Sequence, residues 1–349
     1  MVCAAQTYAS IAAGNKPQGI AYDAAMHEVF VANSGDNTVS VISDSTHSVV
    51  ALVPVGKDPV GVAYDAGKSE IFVTNQGDDS ISVIADCNNS VVATVNAGLG
   101  SKPAVIIYDS GKGELFFTNF GAGSVSVMSD TNNSLVATVP IGTPPYGLTY
   151  DSGRNEVFVA NAEDNNTLVI SDNSNTVVAK HLFVGYYPVG LAYDPVRNEI
   201  FVANSADDTV SVMSDSTYEV VATIPVGNQP VGVTYDSVKN QVYITNLADN
   251  SVSVISNSSY QVAATVSVGA KPVGITYDTG KGELYVTNNG DNTVSVISDS
   301  NITSASPSQN LFSEAIPILL LVTVIVAVLC TVFLALKKRR LIGGAEGRV

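Results

Sequence analysis

Apolar and polar positions alternate along this 349-residue chain in short runs separated by clusters of Gly, Asp, Asn and Pro. In Ser80-Ile81-Ser82-Val83-Ile84 the period is two, and the apolar members are β-branched. Runs of five or six such residues predict strands, and nothing in them favours a helix. Four runs follow one another at residues 60–65, 70–75, 80–84 and 91–95. The polar turns between them are short enough to make all neighbours antiparallel hairpins. This four-strand unit returns seven times, each marked by Pro-x-Gly-apolar-x-Tyr-Asp or a close variant. Its tyrosines are Tyr22, Tyr64, Tyr108, Tyr150, Tyr193, Tyr235 and Tyr277, at intervals of 42 to 44 residues. A period of that size with four strands per unit predicts an all-β, seven-bladed β-propeller over residues 1–298.

Two details refine the prediction. The seventh repeat stops after Val294-Ser295-Val296-Ile297 without a fourth strand, while Thr7-Tyr8-Ala9-Ser10-Ile11 aligns with the fourth strands of other repeats. Residues 6–13 are therefore expected to complete blade seven and close the ring, hiding sheet edges that would template aggregation. The glycine two residues after each proline lets the innermost strands approach the narrow axis. Blade three departs from this pattern, with Val105 in the slot and two extra residues around Gly98-Leu99-Gly100.

The second strands end in Phe30-Val31-Ala32-Asn33, Phe72-Val73-Thr74-Asn75, Phe116-Phe117-Thr118-Asn119, Tyr243-Ile244-Thr245-Asn246 and Tyr285-Val286-Thr287-Asn288, with Phe158 and Phe201 opening the remaining two. These units resemble the Tyr-Val-Thr-Asn (YVTN) β-propeller repeat family of archaeal surface-layer and cell-surface proteins. The resemblance spans some 290 residues. It implies a seven-bladed propeller and extracellular display, with no common catalytic activity, because propellers host many unrelated functions.

Charge and hydropathy divide the rest of the chain. The net charge is −16, but residues 337–349 hold five basic side chains and one acid. The remainder has 11 basic against 31 acidic side chains, a net of −20 that repels nucleic acid and anionic lipid. Residues 315–336 carry no charge and are dense in Ile, Leu and Val. At ~1.5 Å per residue they reach ~33 Å, which predicts one transmembrane helix. Lys337-Lys338-Arg339-Arg340 follow directly and are expected on the cytoplasmic side. The expected organisation is a propeller (1–298) outside the cell membrane, a stalk (299–314), a membrane span (315–336) and a basic cytoplasmic tail (337–349). Met1-Val2-Cys3-Ala4-Ala5 has neither the basic start nor the apolar core of an export signal. A start further upstream, another export route, or a tail anchor with a cytosolic propeller stay open.

The chemistry is sparse. No Cys-x-x-Cys, His-Glu-x-x-His, Walker or dinucleotide pattern occurs, so no catalytic or cofactor residues are assigned. Cys3, Cys87 and Cys330 form no disulfide framework. His27 and His47 are expected to be solvated in turns, and His181 to mark a bulge made by a one-residue insertion. Asp36, Asp78, Asp164, Asp207, Asp249 and Asp291 recur in the turn after the second strand, where Gly and Asp suit a tight hairpin. They are also expected to crown one channel mouth, where a carboxylate ring would attract Ca²⁺ or a basic partner. The aspartates after the tyrosines read as turn-capping residues. Tyr186-Tyr187 is an aromatic pair fit to stack on a sugar or anchor a protein. Asn-x-Ser/Thr sequons occur at Asn88, Asn132, Asn165, Asn257 and Asn301, three of them in turns between third and fourth strands. The reading that follows is a non-enzymatic, membrane-anchored surface module serving adhesion, scaffolding or recognition. The alternatives are a propeller enzyme of lactonase or lyase type and a metal- or solute-binding receptor.

Overall fold

A computed structural model describes residues 7–302, and the predicted membrane span and basic tail lie outside them. Among the described residues no helix is long and apolar enough to cross a membrane. Seven four-stranded antiparallel sheets are present, the seven blades predicted. Blade one shows the pattern, with β2 (Pro17–Asp23), β3 (Glu28–Asn33), β4 (Thr38–Ser43) and β5 (Ser48–Pro54) paired in sequence order. The alternation that predicted strands has a simple cause. The second and third strands of every blade lie sandwiched between neighbouring blades, so Val29, Phe30, Val31, Val39, Val41 and Ile42 are all fully buried. The fourth strand forms the rim, and its Val50 and Leu52 are exposed.

The ring is closed by β1 (Ala9–Ala12), which pairs antiparallel with the third strand of blade seven (Thr293–Ser298), Ala9 opposite Val296 and Ala12 opposite Thr293. The Tyr8 and Ala13 N–H groups donate to Val296 and Asn292 carbonyls just beyond the strand ends. The clasp thus covers most of the stretch expected from the sequence. Ile11 is buried against Tyr285, Val294 and Val296.

At the axis the glycine prediction holds. A Cβ on Gly190 would sit 2.0 Å from the Val231 carbonyl oxygen of the next blade, and one on Gly61 2.2 Å from that of Ala104. Blade three has Val105 in this slot, and the first strand of blade four is short, Leu148–Asp151 against Pro103–Asp109 in blade three. His181 does mark a bulge: the register slips beside it, and its φ is 60°.

Candidate functional site

Each repeat supplies polar groups to two faces of the ring, and most of them are consumed in joining blades. On the upper face, the turn after the second strand meets the loop that enters the same blade. Asp36 Oδ2 accepts from the Asn15 N–H at 2.7 Å, and Asp78, Asp207, Asp249 and Asp291 accept equivalent N–H groups of Lys57, Tyr186, Asn228 and Ala270. Asp164 instead accepts from the Thr143 hydroxyl and the Asn161 amide. The next residue of the turn reaches the following blade. Asn37 Oδ1 accepts the Asp58 N–H, and Asn292 Oδ1 accepts the Lys16 N–H across the closure. Backbone donation followed by the Asn15 amide holds Asp36 below the ordinary carboxylate range, and Asn228 does the same for Asp249. The six acids do share the face of the Pro-x-Gly entrances, yet each has at least one oxygen committed to its own blade. Among the described residues no three His, Cys, Asp or Glu side chains are arranged to hold a metal ion.

On the lower face each marker tyrosine joins two blades. Tyr22 donates to Asp44 of its own blade at 3.1 Å and lies beside Asp278 of blade seven. Tyr277 donates to Asp299 at 2.9 Å beside Asp236. Burial first, and the neighbouring Asp23 second, push Tyr64 up to about 12. The aspartates after the tyrosines cap their turns as expected: Asp23 Oδ1 accepts from the Ala25 and Met26 N–H groups. A cation from the preceding blade steadies most of these junctions. Lys281 reaches Asp44 at 3.0 Å, Lys239 reaches Asp299 at 3.0 Å, and Lys112 donates to the Asp172 carbonyl at 2.6 Å. Blade one has Met26 at the corresponding position, so Asp86 receives no such cation.

Two sequence expectations are corrected here. His47 is not a solvated turn residue. Its side chain is 19% exposed, its Nε2 lies 3.0 Å from Glu283 of blade seven, and the Tyr8 ring packs edge-on against it. Its turn sits against the neighbouring blade, which the sequence could not place. Asn257 differs from the other sequons of its type: it is fully buried, and its amide donates to Asp194 and to Asn240. It stands where other blades carry an aspartate such as Asp86, whereas Asn88 and Asn132 are exposed in their turns. Asn165 is half-buried, accepting the Tyr187 N–H at 2.9 Å, and Asn301 is exposed.

The axial channel holds a cavity of about 600 Å³ lined by the innermost strands. Ile20, Val62, Ile107, Val233 and Ile275 dominate it; Gln18, Thr149 and Thr234 are its polar side chains apart from tyrosines, and no charged side chain lines it. The least regular feature lies on the upper face across blades three to five. The Phe120 and Tyr146 rings pack edge to face at 5.2 Å, and Tyr146 and Tyr187 at 5.4 Å. The Tyr146 and Tyr187 hydroxyls are 2.5 Å apart, and burial together with that contact raises Tyr146. Tyr186 is 63% exposed and Tyr187 38%. The sequence signalled the adjacent tyrosines, but not Phe120 and Tyr146, which come from two other blades.

These features define a seven-bladed β-propeller. No family model matches the sequence, and no curated protein does. Solved structures share the fold. Hydrazine synthase of Kuenenia stuttgartiensis superposes with a TM-score of 0.72 at 16% identity, over 82% of this chain and 96% of that chain. The β-propeller domain of Cps50 (Swd1) from Myceliophteria thermophila gives a TM-score of 0.68 at 8% identity, over 84% of this chain and 98% of the other. At such identities the likeness is one of fold alone.

Proposed function

We propose that this protein is a non-enzymatic binding or scaffold module of the YVTN type, anchored by residues 315–336 and displayed outside the cell. The observation that carries the binding role is the aromatic cluster of Phe120, Tyr146, Tyr186 and Tyr187. The repeat-wide polar groups already serve the ring, whereas these side chains break the sevenfold pattern and face solvent in part. Exposed aromatic patches of this kind mark interaction sites. The uncharged 22-residue segment with its basic flank supports the anchor and its orientation. Protease treatment of intact cells tests the display. The expected result is loss of the propeller with survival of a tag placed after Val349. Protection of the propeller until the membrane is permeabilised would overturn the orientation.

A further inference from the structure

The aromatic cluster occupies positions that the fold fills with other residue types in its remaining blades. Tyr146 stands where Val60, Val189, Val231 and Val273 stand, and Phe120 where Ser34 and Ser205 do. Tyr187 replaces residues such as Lys16 and Gln229, and Tyr186 residues such as Asn15 and Asn228. Four aromatic substitutions meeting in one sector of one face are therefore not a requirement of the propeller. Other irregularities meet there too. The insertion that presents Leu99, fully exposed, runs beside Phe120, with the Gly121 N–H donating to Ser101. Blade three has also given up its crown acid for Gly121-Ala122-Gly123 in the same turn.

The chemistry of the sector is mixed in a specific way. Its ring faces are apolar, and the Tyr146–Tyr187 hydroxyl pair shares a single hydrogen bond. Two phenols bring two hydroxyl hydrogens, so one is left to donate elsewhere. Carboxylates border the rings. Asp164 and Asp207 each engage the protein through one oxygen, Oδ2, and keep Oδ1 free among the described residues. A ligand matched to this surface has an apolar C–H face to lie on tyrosine and a rim of hydroxyls for phenols and carboxylates. That is the chemistry of a pyranose. Protein hot spots instead sit in well-packed, fully desolvated pockets, whereas Tyr186 is 63% exposed. The acids here and the net charge of −16 oppose an anionic ligand. We propose that Phe120, Tyr146, Tyr186 and Tyr187 form a binding site for a neutral glycan. This deepens the binding-module reading and rests on it.

Calorimetric titration of the full-length chain with neutral glucan, mannan and galactan oligosaccharides tests the site. Saturable binding to at least one is expected. Tyr146→Val, Phe120→Ser and Tyr187→Gln put in residues that sibling blades carry at the same positions. They should keep the protein folded, with only a small drop in melting temperature from the lost ring contacts, and weaken binding about tenfold or more, which is 1.4 kcal/mol or more. Tyr186→Asn should act likewise. No saturable binding, binding indifferent to all four substitutions, or equal binding of a polyuronate would overturn the proposal. So would a protein ligand lost through the same substitutions while every glycan fails. The protease experiment on cells reads topology and leaves the titration unaffected, so the two can fail separately.

Discussion

The threonine of Phe72-Val73-Thr74-Asn75 shows what the repeated motif does chemically. Thr74 Oγ1 accepts the Gly61 N–H at 2.8 Å within its blade and donates to the Ala104 carbonyl of the next at 2.5 Å. Thr287 repeats this across the closure, donating to Gln18 at 2.7 Å. The asparagine after it ties the following turn, Asn75 Nδ2 donating to Ser80 and Ser82 at 3.0 Å. Local roles such as the Asp23 turn cap were legible in the sequence, because their partners lie two or three residues away. The inter-blade partners were not, since seven near-copies offer seven equivalent candidates. Asp86 is the informative member of that set. Burial first, and Asp23 second, raise its pKa, and blade one sends it Met26 instead of a cation. A raised carboxyl favours the fold below its unfolded value of about 4, and that benefit fades as pH climbs through the higher folded value. As pH rises toward 7 the carboxyl of Asp86 therefore weakens the fold. Asp86→Asn, which copies the arrangement of Asn257, should raise the melting temperature at pH 7 and lose the gain near pH 4. A lower melting temperature at pH 7 would show that the carboxylate is needed.

Strands were the most legible scale. Their period, their turns and the missing fourth strand of blade seven were all readable, because burial between blades leaves an unbroken apolar signature on the middle strands. The bulge at His181 was readable as well, since one inserted residue has nowhere else to go in a paired strand. The clasp has the largest consequence at this scale. β1 is four residues long, yet it supplies Ile11 to a core that joins blades seven and one. Ile11→Ala should cost about 2–4 kcal/mol in denaturant unfolding. Deleting residues 1–13 should lower stability further, because it also exposes the edge of the third strand. An unchanged unfolding midpoint in both variants would contradict the closure.

For the molecule as a whole, two sets of acids pull in opposite directions with pH. Asp36, Asp79 and Asp249 are lowered by backbone hydrogen bonds, so they support the fold above about 4 and lose that support as pH falls through their folded values. Asp86, Asp172 and Asp215 are raised, burial being the largest cause, and favour the fold only where they are protonated. The crossing of the two trends, helped by relief of self-repulsion in a chain of net charge −16, places greatest thermal stability on the acid side of neutral. Melting temperatures between pH 3 and 8 should pass through a maximum on the acid side of neutral and fall again toward pH 8. A steady rise to pH 8 would refute the balance. At this scale the sequence revealed the wheel but only half of its aromatic sector. Phe120 and Tyr146 each look like an ordinary substitution within one repeat, and only the curvature of the ring brings them to Tyr187.

The direction of one strand carries a last implication. The third strand of blade seven starts at Thr293, next to the crown residue Asn292, and descends to Ser298 and then Asp299, the partner of Tyr277. The described residues therefore end on the underside of the wheel, on the face opposite Tyr146 and Tyr187. The aromatic sector lies on the opposite face, so a ligand held there and the last described residues do not share a surface.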